Sequence, residues 1–115
     1  MKNILIKKKT FEFAVRIVRL NIFLRGSKKE YVLSKQVLRS GTSIGANVEE
    51  ATGATSKADF KYKLSIAYKE ARETHYWLKL LQRTDFINCK MFKSLSDDCD
   101  EIKRILYTIL KNVNC

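Results

Sequence analysis

Glu70, Glu73 and His75 are the residues of this 115-residue chain whose types and spacing come nearest to a reactive site. They make an incomplete one. Di-iron bundles build their centres from Glu-x-x-His pairs, and no such pair occurs here. A lone histidine beside Tyr76 and Trp77 has no Ser/His/Asp or Cys/His arrangement to join. Two carboxylates without a histidine partner make a weak metal site, so no metal and no cofactor are expected. Gly41 to Gly45 lacks the Lys-Ser/Thr ending of a phosphate loop. Cys89, Cys99 and Cys115 are odd in number and lack CxxC spacing, which points to neither a disulfide framework nor zinc. Cys99 reads as a core thiol and Cys115 as an exposed tail. The chain is not expected to be an enzyme, and no catalytic residue is proposed.

What these residues can do is hold charge in place. Glu70 and Glu73 project near Ile66, Trp77 and Leu80, and carboxylates on so apolar a flank need a cation or hydrogen-bond donors. The stretch RSGTSIGANVEEATGA, from Arg39 to Ala54, offers both. Arg39, Ser43, Asn47 and Glu50 recur at helical steps of three and four, forming a polar row. A lock of Arg39, Ser43, Asn47, Glu70 and Glu73 is therefore expected between two helices. Gly41 and Gly45 stack one turn apart beside the row. Each costs up to about 1 kcal/mol in a helix interior, which the close approach of another helix would offset.

The second chemistry is that of a polycation. The formal net charge is +11. Residues 1–29 carry nine Lys/Arg against Glu12 alone. Such an excess suits a polyanionic partner, RNA or DNA before an acidic membrane surface. Lys61, Lys69, Arg72, Lys79 and Arg83 fall within an arc roughly 80° wide on one helix, with Tyr76 inside it. Cations on phosphates and a base stacked on tyrosine would suit single strands or RNA. Lys7, Lys8, Lys9, Lys28 and Lys29 would add to the field.

Four helices must position these groups. Proline is absent and 45% of residues are hydrophobic, so long helices with a buried core are open to the chain. The first, about Thr10 to Arg25, has two apolar stripes on opposite sides: Phe11, Val15, Val18, Ile22 and Phe13, Ile17, Leu20, Leu24. One stripe can enter the core and the other needs a partner. We expect Phe13, Ile17, Leu20 and Leu24 to form the oligomer interface.

The second helix, about Glu30 to Gly53, carries Leu33, Val37, Ile44, Val48 and Ala51. The third opens on a capping box, Ser56 and Asp59, and carries Phe60, Leu64, Ala67, Ala71, Leu78 and Leu81. The fourth, about Asn88 to Asn112, carries Met91, Leu95, Cys99, Ile102, Leu106, Ile109 and Val113. On its outer face Lys93 should pair with Asp97, and Asp100 with Arg104. Short connections imply one all-α domain over residues 1–115, an antiparallel up-down-up-down four-helix bundle. The N-terminus is too poor in apolar residues for a signal-peptide core, and Arg16 and Arg19 interrupt the next apolar window, so a cytoplasmic protein that does not cross a membrane is expected.

LRSGTSIGANVEEA and the helix KLSIAYKEARETHYWLKLL resemble the family of 23S rRNA intervening-sequence proteins. The frame R-S-x-x-S-I-x-x-N-x-x-E runs from Arg39 to Glu50, and E-x-x-E-x-x-x-W from Glu70 to Trp77. The resemblance covers nearly the whole chain. It implies a small bacterial protein, often encoded within insertions in large-subunit rRNA genes, with a bundle fold and ring-shaped homo-pentamers. It adds no catalytic residue. Two functions remain open: an oligomer that binds RNA or DNA, or an adaptor whose ring recruits a protein partner through the apolar first-helix face or the Trp77 flank.

Overall fold

The computed structural model describes residues 2–113, without the Lys2 side chain; Cys115 lies outside the described residues. Four helices form, α1 Lys2–Gly26, α2 Leu33–Thr52, α3 Lys57–Arg83 and α4 Cys89–Asn112, and the described residues contain no strand. The bundle measures 45 × 21 × 19 Å. Its long axis is close to the roughly 40 Å expected of the longest helix.

Two helix starts differ from the sequence expectation. α1 begins eight residues before Thr10, because nothing in KNILIKKK breaks a helix and Ile6 is buried in the core. The Thr10 hydroxyl does not cap; it donates back to the Ile6 carbonyl at 2.8 Å. Lysines in the first turns oppose the helix dipole. Ion pairs offset that repulsion, Lys7 with Glu49 on α2 at 3.4 Å and Lys9 with Glu101 on α4 at 3.1 Å.

Glu30, expected inside α2, stands before it as a cap. Its carboxylate accepts from the backbone N–H groups of Val32, Leu33 and Ser34 at 3.2, 2.9 and 2.7 Å. Burial pushes this carboxyl up, but the three backbone donors outweigh it and hold the group below the usual glutamate value. α3 and α4 start with side-chain caps: Ser56 accepts from the Asp59 N–H at 3.0 Å, and Asn88 from the Met91 N–H at 2.8 Å.

Each helix packs closely on two others, in the cyclic order α1, α2, α3, α4, with α1 and α3, and α2 and α4, on the diagonals where the backbones do not come close. The core runs through the middle as one cluster. The stripes expected of α2, α3 and α4 enter it, with Leu33, Phe60, Met91 and Val113 partly buried at its edge.

The α1 stripe is a correction. Phe13, Ile17, Leu20 and Leu24, expected at an oligomer interface, are all buried inside a single chain. The opposite stripe faces out, with Phe11 69% and Ile22 64% exposed and Val15 and Val18 also on the surface. The two stripes have similar apolar content, so periodicity could not rank them. The fit of Ile17 against α2 does.

That fit explains the glycines. A Cβ built on Gly41 would lie 2.7 Å from an Ile17 side-chain carbon, and one on Gly45 would lie 3.1 Å from the Thr10 carbonyl oxygen. Both distances are too short for comfort, and at Gly45 the obstacle is backbone. The small-residue face of α2 therefore seats α1, while its polar row turns toward α3. Gly41→Ala gains roughly 1 kcal/mol of helix propensity but overpacks the seam by about 1–3 kcal/mol. Urea denaturation should show both Gly41→Ala and Gly45→Ala less stable than the wild type. A stabilised Gly45→Ala variant would mean the seam is looser than described.

Candidate functional site

The polar residues of the second and third helices meet along the α2/α3 seam. Arg39 reaches Glu70 at 3.2 Å and also pairs with Glu73. The Ser43 hydroxyl donates to Glu70 at 3.1 Å, and Asn47 donates to the Ser43 hydroxyl at 3.1 Å and to its carbonyl at 2.9 Å. The Trp77 indole N–H donates to Glu73 at 2.9 Å. Glu50, the last of the row, pairs with Lys63 at 2.8 Å. Deeper in the seam the Thr74 hydroxyl donates to Ser40 at 2.9 Å, both side chains fully buried.

Glu70 is the shielded member, its side chain 18% exposed against 49% for Arg39. An arginine so exposed is screened by solvent, so the lock contributes to register more than to net stability. An Arg39→Ala, Glu70→Ala double-mutant cycle should give a coupling of about 1 kcal/mol in chemical denaturation. Additive single effects would reduce the row to a solvated face.

His75, the lone histidine, sits in the α3/α4 seam. Lys103 donates to its Nδ1 at 2.8 Å, which makes Nδ1 an acceptor and leaves Nε2–H to donate to Ser96 at 3.0 Å. Burial, then the Lys103 ammonium, pushes the ring below its ordinary value of 6.5, with Asp100 opposing and Lys79 adding to the shift. The neutral ring is thus the one that fits. Its contribution to stability is complete above pH 6.5 and is lost as pH falls through the lower folded value. Denaturation at descending pH should show this loss beginning below 6.5 in the wild type, and a His75→Gln variant should lack it.

Asp100 departs from expectation. It pairs with Lys103 at 3.1 Å and makes no bond to Arg104, whereas the expected Lys93–Asp97 pair forms at 3.2 Å. Lys103 wins because it lies between Asp100 and His75 and satisfies both. Cys99 is buried beside this cluster; its thiol donates to the Ala71 carbonyl at 3.3 Å, and burial pushes its pKa up to about 12. Among the described residues no group of three His, Cys, Asp or Glu side chains is placed to hold a metal.

The basic arc lies on the outer side of α3. Lys69, Arg72, Lys79 and Arg83 are exposed and Lys61 is partly buried. None of the five forms an ion pair with a described residue. Tyr76 is 56% exposed, its ring held edge-on to Trp77 with centroids 5.1 Å apart. Sequence reasoning missed a second basic and aromatic group at the edge of this arc, formed with Tyr68, Arg104 and Tyr107. The missed signal was Tyr107, which falls outside the apolar stripe of α4. No described helix is long and apolar enough to cross a membrane.

No curated protein matches the chain. A crystal structure of a protein of unknown function from the S23 ribosomal protein family of Bacteroides thetaiotaomicron is 54% identical, with a TM-score of 0.96 over 97% of this chain and 100% of that one. The family described as 23S rRNA-intervening sequence protein matches residues 2–108. With the fold and both sequence frames in agreement over nearly its full length, the chain belongs to the 23S rRNA-intervening sequence protein family.

Proposed function

We propose that this chain is a non-enzymatic, self-associating bundle protein that binds RNA or DNA through the basic face of α3 in the cytoplasm. The observation that carries this reading is the arc itself: five cations that form no ion pair with a described residue, with an exposed tyrosine among them. Most exposed charges on a neutral surface would find opposite charges nearby. These pair with no described residue, and phosphates would supply the partners.

The bundle is read as up-down-up-down with antiparallel neighbours. Pairs across α2 and α3 support this, because Ser43 meets Glu70 while the later Glu50 meets the earlier Lys63. Self-association is assigned to the exposed α1 stripe of Phe11, Val15, Val18 and Ile22, and the family resemblance makes a homo-pentamer the expected assembly. α1 and α3 lie diagonally in the bundle, so the α1 stripe and the basic arc are separate surfaces of one chain. A ring would then repeat each arc and raise a modest affinity by avidity.

The same α1 stripe supports the second reading, an adaptor that recruits a protein partner. Light scattering separates the two uses of α1. An assembly larger than the 13.4 kDa chain, lost on Phe11→Glu/Ile22→Glu substitution with helicity retained, identifies self-association. A monomeric wild type leaves the stripe to a different protein.

Binding is tested by fluorescence anisotropy with labelled RNA and DNA at two salt concentrations. Wild-type affinity should fall steeply as salt rises, through loss of counterion release. Arg72→Glu/Lys79→Glu should weaken it without unfolding the chain. Tyr76→Ala should weaken single strands more than duplexes, by roughly 1–3 kcal/mol for a stacked base. No wild-type binding at low salt would leave the adaptor as the better reading.

A further inference from the structure

Beside the arc, α3 and α4 enclose a groove of about 450 Å³. Tyr68 and Arg72 line it from α3, and Asp100, Lys103, Arg104 and Tyr107 from α4. Its two tyrosine rings meet at a tilt of 45°, centroids 6.3 Å apart. Tyr68 is partly buried and braces Tyr107, which stays 57% exposed. A rigid aromatic surface is thus open to solvent.

The charges around it are unevenly matched. Asp100 is the acidic residue lining the groove, and Lys103 already neutralises it at 3.1 Å. Lys103 is itself tied to His75 at 2.8 Å. Arg72 and Arg104 make no ion pair with a described residue, so two free guanidinium groups approach the groove from opposite helices. Arg104 is free because Asp100 chose Lys103.

We infer that this α3/α4 groove is a single-strand site, in which one unstacked base lies on Tyr107 and the flanking phosphates are held by Arg72 and Arg104. The inference rests on the nucleic-acid reading and narrows it to single-stranded RNA or DNA. An arc of cations alone would accept a duplex equally well. An aromatic ring in a groove would not, because a paired base has its faces covered by its neighbours. Arginine suits the flanking positions, since its planar fork binds phosphate oxygens in pairs.

The test uses labelled oligouridylate and a duplex RNA of equal length, with Tyr107→Ala, Tyr107→Phe and Arg104→Glu compared with the wild type. Both positions are on the surface, and thermal melts check that each variant folds. Tyr107→Ala should weaken oligouridylate roughly 5- to 150-fold, the range for loss of one stacked base, and leave duplex binding unchanged. Tyr107→Phe should restore single-strand binding, because the ring and not the hydroxyl carries the stack. Arg104→Glu should weaken the single strand as well.

Crosslinking of the wild type to a thiouridine-substituted strand asks the same question without a substitution. Adducts on Tyr107 or Tyr68 support the groove; adducts confined to Tyr76 overturn it. If Tyr107→Ala and Arg104→Glu bind as the wild type does while Arg72→Glu/Lys79→Glu does not, the groove is overturned and the arc stands. If the wild type binds no nucleic acid, both fall together.

Discussion

The distance between α1 and α2 sets the terms for the rest of the bundle. At Gly41 and Gly45 the second helix has no side chain, and α1 settles against its backbone. Ile17 fills the first gap and the Thr10 turn lies on the second. This contact decides which side of α1 is inside, and it brings Phe13, Leu20 and Leu24 into the core with Ile17. It also sets the rotation of α2, so that Arg39, Ser43 and Asn47 face α3. A single stretch of mostly small and polar residues thereby serves two neighbours by two kinds of force. Close packing acts on one side, and directed hydrogen bonds act on the other.

The seams differ in what holds them. The α1/α4 contact relies on bonds near the surface, Lys9 to Glu101 and Arg16 to Asp98 and Ser94. The α3/α4 contact encloses a neutral histidine, a buried thiol and a Lys–Asp pair. Exposed ion pairs contribute little each. The apolar cluster therefore supplies most of the stability, and the polar groups select one alignment among those the cluster would allow. What the polar groups leave over is also informative. Several acidic side chains pair along the seams, and the basic arc on the outer face of α3 forms no ion pair with a described residue.

Much of the fold was legible because apolar residues at steps of three and four mark the inner faces of α2, α3 and α4 without competition. The cap at Ser56 could be read for the same reason: it is local. The sidedness of α1 could not. Phe11, Val15, Val18 and Ile22 differ little in hydrophobicity from Phe13, Ile17, Leu20 and Leu24, and only a shape match with Gly41 separates them. The early start of α1 was hidden by lysines whose repulsion is relieved by Glu49 and Glu101, both distant in sequence. The polar row and the arc could be drawn from helical spacing, since each lies on known faces. The Tyr107 groove could not, because it needs two helices in register and an Asp100 that turns to Lys103 in preference to Arg104.

The buried thiol of Cys99 has a use that its packing did not require. A sulfur with a pKa near 12, bonded to the Ala71 carbonyl, is inert to alkylating reagents while the helices stay closed. Cys89 is exposed and has no such protection. The chain thus carries an internal reporter on the α3/α4 seam. The rate at which Cys99 becomes modifiable, set against the rate at Cys89, measures how often that seam opens under native conditions. Any occupant that bridges the two helices would slow that clock.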